Sequence, residues 1–235
     1  MKAPIRPAAS LAAASAALAL TAPAASAATT TIRQETATGA PYSGNWQVAT
    51  VGALTFSVNY LGVKVTGSCD GADLQGTVQS TGAGELTAAS IGACRTSNGL
   101  SSPATDLDLG QMPDKSGSVA YDPVSGGRDG TLSISGGLRF KMEGKILGIT
   151  VTCYYGFRTG STDGLRFDVY NRDNPNRPLP NQDDAQGRSD NITLVRQSGS
   201  SGLCPSDGTG SGSAIARGES TPGSGVFDRK LYLTP

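Results

Sequence analysis

The chain contains no histidine. That excludes a Ser-His-Asp triad, a Cys-His dyad and the usual His-containing zinc sites. There is no Cys-x-x-Cys string either, so redox or nucleophilic work by a thiol has no support. No Gly-x-Gly-x-x-Gly stands between a strand and a helix, and no phosphate-cradling Gly-Lys-Ser/Thr is present. Aromatics are few, with one Trp, seven Tyr and five Phe, whereas a saccharide cleft built on ring stacking wants more. Positive and negative charges balance at 19 each, which argues against a nucleic-acid partner, since phosphate contacts demand a basic face. After residue 27 no stretch approaches the roughly 20 apolar residues of a membrane span. No cofactor and no metal is implied.

The first 27 residues carry Lys2 and Arg6, an Ala/Leu-rich run and then Ala25-Ser26-Ala27, the pattern of a secretory signal peptide. Removing it leaves 208 residues and 17 positive against 19 negative charges. Four cysteines in an exported chain are most simply two disulfides, with three pairings open. Cys69–Cys94 and Cys153–Cys204 are favoured, because each pair then sits inside one copy of an internal repeat.

The repeat rests on two strings. GALTFSV at 52–58 lines up with GGLRFKM at 136–142, and LGVKVTGSC at 61–69 with LGITVTC at 147–153. The second copy has EGKI at 143–146 where the first has only Asn59 and Tyr60, which predicts a longer hairpin turn there. Two hairpins that converged on similar alternation are the alternative. In the second copy Leu138, Phe140 and Met142 should face one way and Arg139, Lys141 and Glu143 the other. Alternating segments recur to the C-terminus, punctuated by Gly, Asn-Asp and Pro. The fold class expected is therefore all-β, an antiparallel sandwich or barrel with two disulfides and a duplicated hairpin unit. Residues 85–91 and 188–198 are the two places where a few helical turns could fit.

The organisation expected is a signal peptide (1–27), a loose arm (28–44) and one β domain (45–235) with repeat halves 45–110 and 118–235. Within it, 172–190 reads as a long polar loop and 198–225 as a flexible Gly/Ser-rich segment. The last ten residues, VFDRKLYLTP, have strand chemistry and should pair with their own sheet, or else be donated to a partner's edge.

Carboxylate pairs that could support glycosidase work are Asp106/Asp108, Asp163/Asp168 and Asp183/Asp184, with Glu143 as a further acid. The series Asp163, Asp168, Asp173, Asp183, Asp184 and Asp190 could form an oxygen cage for Ca²⁺, but arginines lie among these acids and favour a mixed-charge surface. Tyr154, Tyr155 and Trp46 are the candidate contact residues. One of two consecutive strand tyrosines must face outward.

The signal sequence, Leu-Gly-x-x-Val-Thr leading into a Cys (VTGSCDGADLQGTV) and a second Cys after a short β stretch (ASIGAC) resemble a broad group of small secreted proteins of actinobacteria, mostly without an assigned activity. The resemblance covers mainly residues 50–95 and implies export and β structure, with no catalytic residues to carry over. Three readings of function follow: a secreted non-catalytic binding, adaptor or cell-surface module with a protein or cell-envelope partner; a His-free hydrolase of extracellular glycans; and a structural envelope protein.

Overall fold

The computed structural model describes residues 29–60, 62–112, 114–146, 148–159 and 162–235; the signal-peptide reading lies outside them. Among these residues are seventeen strands, all paired antiparallel, and one 3-10 turn at Leu109–Gln111. In chain order they are β1 (Thr31–Gln34), β2 (Gly44–Thr50), β3 (Leu54–Tyr60), β4 (Val63–Cys69), β5 (Ala72–Val78), β6 (Ala83–Ile91), β7 (Cys94–Thr96), β8 (Ser101–Ser102), β9 (Thr105–Asp106), β10 (Ser116–Tyr121), β11 (Gly130–Ser135), β12 (Arg139–Ile146), β13 (Ile149–Thr159), β14 (Thr162–Tyr170), β15 (Ala185–Arg196), β16 (Asp207–Glu219) and β17 (Phe227–Thr234). The two segments that could have been helical, 85–91 and 188–198, lie largely in β6 and β15. Their residues Leu86, Ala89, Ile91 and Leu194 are buried in one core, and that burial overrides local helical tolerance.

Many strands lie end to end. β2 and β3 pair in succession with β16, and β5 and β4 pair in succession with β2 and β3. Continuing outward, β6 and β7 join β5 and β4, then β10 and β8 join β6 and β7, then β11 and β12 join β10 and β8. β14 and β13 follow, then β15, then β16, which returns to β2 and β3. The result is a closed up-and-down barrel of eight long staves, a form that removes open sheet edges.

The pairings repeat halfway round. Staves β2/β3, β5/β4, β6/β7 and β10/β8 pair among themselves as β11/β12, β14/β13 and the two halves each of β15 and β16 do. The repeating pattern runs from Gly44 to Tyr121 and from Gly130 to Glu219. This places β10 with the first unit and leaves β17 outside the second. The predicted lengthened turn is not there: Tyr60 pairs with Val63 and Ile146 with Ile149, and Gly62 and Gly148 share a φ of 80°. The two extra residues lengthen the first arm of the second hairpin, and its second arm reaches Cys153 two residues sooner because nothing there matches Gly67-Ser68, so Cys69 faces Leu54 across the first hairpin whereas Cys153 faces Met142 across the second. Each disulfide stays within one unit, Cys69–Cys94 and Cys153–Cys204.

The middle of the Gly/Ser-rich segment is β16, a full stave of the barrel. Its inward positions 208, 210, 212, 214, 216 and 218 are all Gly or Ala, and large neighbours fill the space they leave. A Cβ added at Gly212 would lie 2.3 Å from Leu54 Cδ2, and one at Gly208 would lie 2.4 Å from Val58 Cγ1 and 2.6 Å from the Ser57 carbonyl oxygen. Gly208→Val should therefore cost about 1–3 kcal/mol by overpacking. Gly202→Val, with nothing within 4 Å of its added Cβ, should stay within about 0.5 kcal/mol of wild type. Equal denaturation midpoints for the two variants would contradict this packing.

Within the arm expected at 28–44, the described residues 29–44 are not loose as a whole, because β1 pairs with β17 and the resulting ribbon closes one end of the barrel. Ile32, Leu231 and Leu233 are buried there with Trp46, Val48 and Val78 around an apolar cavity of about 80 Å³. The ribbon is anchored by Asn171, which donates to the Leu233 carbonyl at 2.9 Å and accepts the Leu233 N–H at 2.7 Å. β17 also pairs with β16, so the C-terminal strand belongs to its own sheet. Within 172–184 the loop is pinned by the buried Gln186 side chain, which bonds both N–H and carbonyl of Leu179 at 2.7 Å.

Glu219, 5% exposed at the end of β16, accepts hydrogen bonds from the backbone N–H groups of Gly225 at 2.6 Å and Gly223 at 3.0 Å, and from Asn45 Nδ2 at 2.8 Å. The Gly225 and Gly223 donors, with Asn45 adding to them, hold its carboxyl below the usual glutamate value. A depressed carboxyl stabilises the fold above its unfolded pKa and loses that contribution as pH falls through the folded one. Glu219→Gln should thus lower Tm at pH 7, with the gap to wild type closing as pH falls below the ordinary glutamate range. A gap that does not change with pH would contradict this role.

The outward side is polar, with Arg139, Lys141, Glu143 and Lys145 along β12, the reverse of a membrane barrel with its apolar outer band. Among the described residues no helix is long and apolar enough to cross a membrane. Two disulfides fit an oxidising compartment.

Candidate functional site

The residues singled out from sequence are placed apart. Trp46 is 7% exposed and inside the barrel, where its Nε1 donates to the Thr77 carbonyl at 3.0 Å. Tyr155 is 3% exposed, packs 5.8 Å from the Phe140 ring, and burial pushes its hydroxyl up to about 12. Neither is presented to a partner on the surface. Tyr154 takes the outward position, half-buried under Arg139, whose guanidinium lies 4.5 Å from the ring centre. Cys69, Cys94, Cys153 and Cys204 are all spent on the two disulfides.

The acids do not converge. Asp163 is held by Arg158 at 3.0 Å, Asp168 by Arg128 at 3.6 Å, Asp190 by Arg188 at 2.7 Å and Glu143 by Lys141 at 2.8 Å. Asp173 accepts from the Tyr232 hydroxyl at 2.8 Å, Asp183 pairs with Lys230, and Asp184 makes a two-point ion pair with Arg217 at 2.8 and 2.9 Å. Asp108 caps the 3-10 turn through the Gly110 N–H at 2.8 Å, while Asp106 lies opposite Ser90. No group of three or more metal-ligating side chains occurs among the described residues. The carboxyls of Asp114, Glu143, Asp183 and Glu219 are all displaced downward by hydrogen-bond donors, whereas a glycosidase acid needs displacement upward.

What does converge is a set of hydroxyls on the outer face of β16, β3, β4 and β7. Three neighbouring strands carry the same outward tripeptide pattern: Thr55-x-Ser57, Thr66-x-Ser68 and Thr209-x-Ser211. Register aligns them into two rows, Ser211–Thr55–Ser68–Arg95 and Thr209–Ser57–Thr66, with Ser97 donating its N–H to the Thr66 carbonyl at 2.8 Å at the end of the second. Neighbours in a row are about 4.8 Å apart and the rows about 7 Å apart, from strand spacing and rise. Together with Lys64 these residues line an open depression of about 600 Å³, within the range of ligand sites. Ser57 and Thr209 approach each other at 3.4 Å, and the hydroxyls of Thr55, Thr66 and Ser68 keep their donor and acceptors for a ligand or water.

The repeated framework supplies an internal comparison. Counting from the two hairpin turns, Thr55, Ser57, Thr66 and Ser68 correspond to Lys141, Glu143, Thr152 and Tyr154. One of these four hydroxyls recurs in the second unit while charges and an aromatic ring take the other three places, so the continuous hydroxyl lining is a property of this face and not of the fold.

No protein-family model, no curated protein and no solved structure matches the chain. The trough was missed from sequence because Thr and Ser in strands are ordinary. The available signal was the recurrence of Thr-x-Ser in strands that only the register shows to be neighbours.

Proposed function

We propose that this chain is a secreted, non-catalytic binding module that holds a polyhydroxylated, glycan-type ligand in the trough of β16, β3, β4 and β7. The observation that carries the reading is the two-row grid of outward hydroxyls lining a depression of ligand size. Hydroxyls donate and accept at once, matching a ligand that does the same. The trough's one aromatic lining residue, Phe56, is half-buried and packed against the core, which disfavours a protein partner anchored by buried aromatics. Export agrees with the two disulfides and with the N-terminal pattern. The dispersed, cation-paired acids favour binding over hydrolysis.

The test is a binding titration against soluble polysaccharides with Thr55→Val/Thr66→Val/Thr209→Val, which removes three hydroxyls while keeping side-chain shape. At about 0.5–1.5 kcal/mol per hydrogen bond, affinity should fall roughly 10–100-fold or more, with Tm unchanged. Thr152→Val on the opposite unit should bind as wild type. No binding by wild type, or equal binding by the triple variant, would sink the proposal.

A further inference from the structure

The trough is not electrically neutral. Two cations, Lys64 and Arg95, line it, and no Asp or Glu does, in a chain whose charges balance overall. Arg95 has an acidic neighbour, Asp70 at 3.5 Å, but their side chains are 71% and 62% exposed. Such an exposed pair is weak, leaving the guanidinium free to exchange Asp70 for a better acceptor. Lys64 is exposed and has no ion-pair partner among the described residues.

The two cations stand at opposite ends of the hydroxyl grid. Arg95 is level with Ser68, and Lys64 lies four residues back along β4, level with Asn59. Four residues of rise and one strand spacing put their backbone positions about 14 Å apart. Between them lie Ser68 and Thr66, with the hydroxyls of β3 and β16 alongside. A compact anion would have to draw both long side chains together, whereas an extended acidic chain meets each cation where it stands, and a neutral chain would use neither. Building on the function proposed above, we infer that the trough selects an extended acidic glycan, with one anionic group at Arg95, another at Lys64 and the intervening sugar hydroxyls on the grid. Arginine suits the end where a carboxylate or sulfate can be met by two N–H groups, whereas lysine supplies a point charge.

The experiment compares polygalacturonate, dextran sulfate, neutral dextran and a single-stranded DNA oligomer as ligands for the full secreted chain at low and moderate salt. The expected order puts one or both acidic polysaccharides at least tenfold tighter than dextran, with affinity falling as salt rises. The polyuronate and sulfate arms tell the two anion types apart. Arg95→Gln and Lys64→Gln should each weaken acidic-glycan binding about 5–10-fold, and the double variant about 50-fold, while leaving Tm unchanged. Dextran bound as tightly as polygalacturonate and dextran sulfate would overturn this inference and leave the glycan-binding function standing. DNA bound as tightly as the acidic glycans would also overturn it, since charge alone would then suffice. Failure to bind any of the polysaccharides would remove both.

Discussion

Deleting residues 227–235 is expected to leave a chain that does not fold at 25 °C. β17 supplies Leu231 and Leu233 to the core and is the partner of β1, so its loss also unseats Ile32. Burial of a Leu stabilises by about 1.5–3 kcal/mol, so two of them with Ile32 amount to roughly 4.5–9 kcal/mol. That is comparable to the 5–15 kcal/mol by which a domain is stable. Graded variants separate the contributions. Leu233→Ala should cost about 2–5 kcal/mol. Asn171→Ala, which leaves the N–H and carbonyl of Leu233 without partners, should cost about 1–3 kcal/mol. A deletion variant with wild-type Tm would mean that the ribbon does not close the barrel.

The next largest effect is expected from Cys153→Ser/Cys204→Ser. That disulfide spans 51 residues and the other 25. Loop-closure entropy gives about 4 kcal/mol for the first and about 3.5 kcal/mol for the second. Cys153 and Cys94 are both fully buried, so a serine hydroxyl adds a similar burial cost to either pair and loop length sets the order. Urea denaturation should show the Cys153/Cys204 variant to be the less stable of the two double-serine variants. The reverse order would show that native packing, not loop length, sets their worth.

Where residues alternate strongly, the fold could be read from the chain. Leu138, Phe140 and Met142 face inward and Arg139, Lys141 and Glu143 outward because a pleated strand allows nothing else once one side is apolar. The disulfide pairing followed from nesting within two similar strings. Barrel closure was not legible, since it depends on β16, whose inward face is Gly and Ala. Composition marks such a segment as flexible, and only the space taken by Leu54, Val58 and Tyr42 shows why it must be small. β1 was missed for a related reason: its single buried anchor, Ile32, sits in a Thr/Ala/Gly-rich stretch. The binding surface was the least legible part. Tyr154, Tyr155 and Trp46 stood out by residue type, but two of them are core. The trough consists of common hydroxyls from strands as far apart in sequence as Thr55 and Ser211, and only strand register brings them together.

The most direct test of the account is amide NMR mapping of the folded protein during titration with the tightest-binding polysaccharide. The account predicts shift changes concentrated in β3, β4, β7 and the 207–211 half of β16, with the β12–β13 face and the β1–β17 ribbon unmoved. Perturbations centred on Arg139, Lys141 and Tyr154, or on the residues lining the interior cavity, would contradict it.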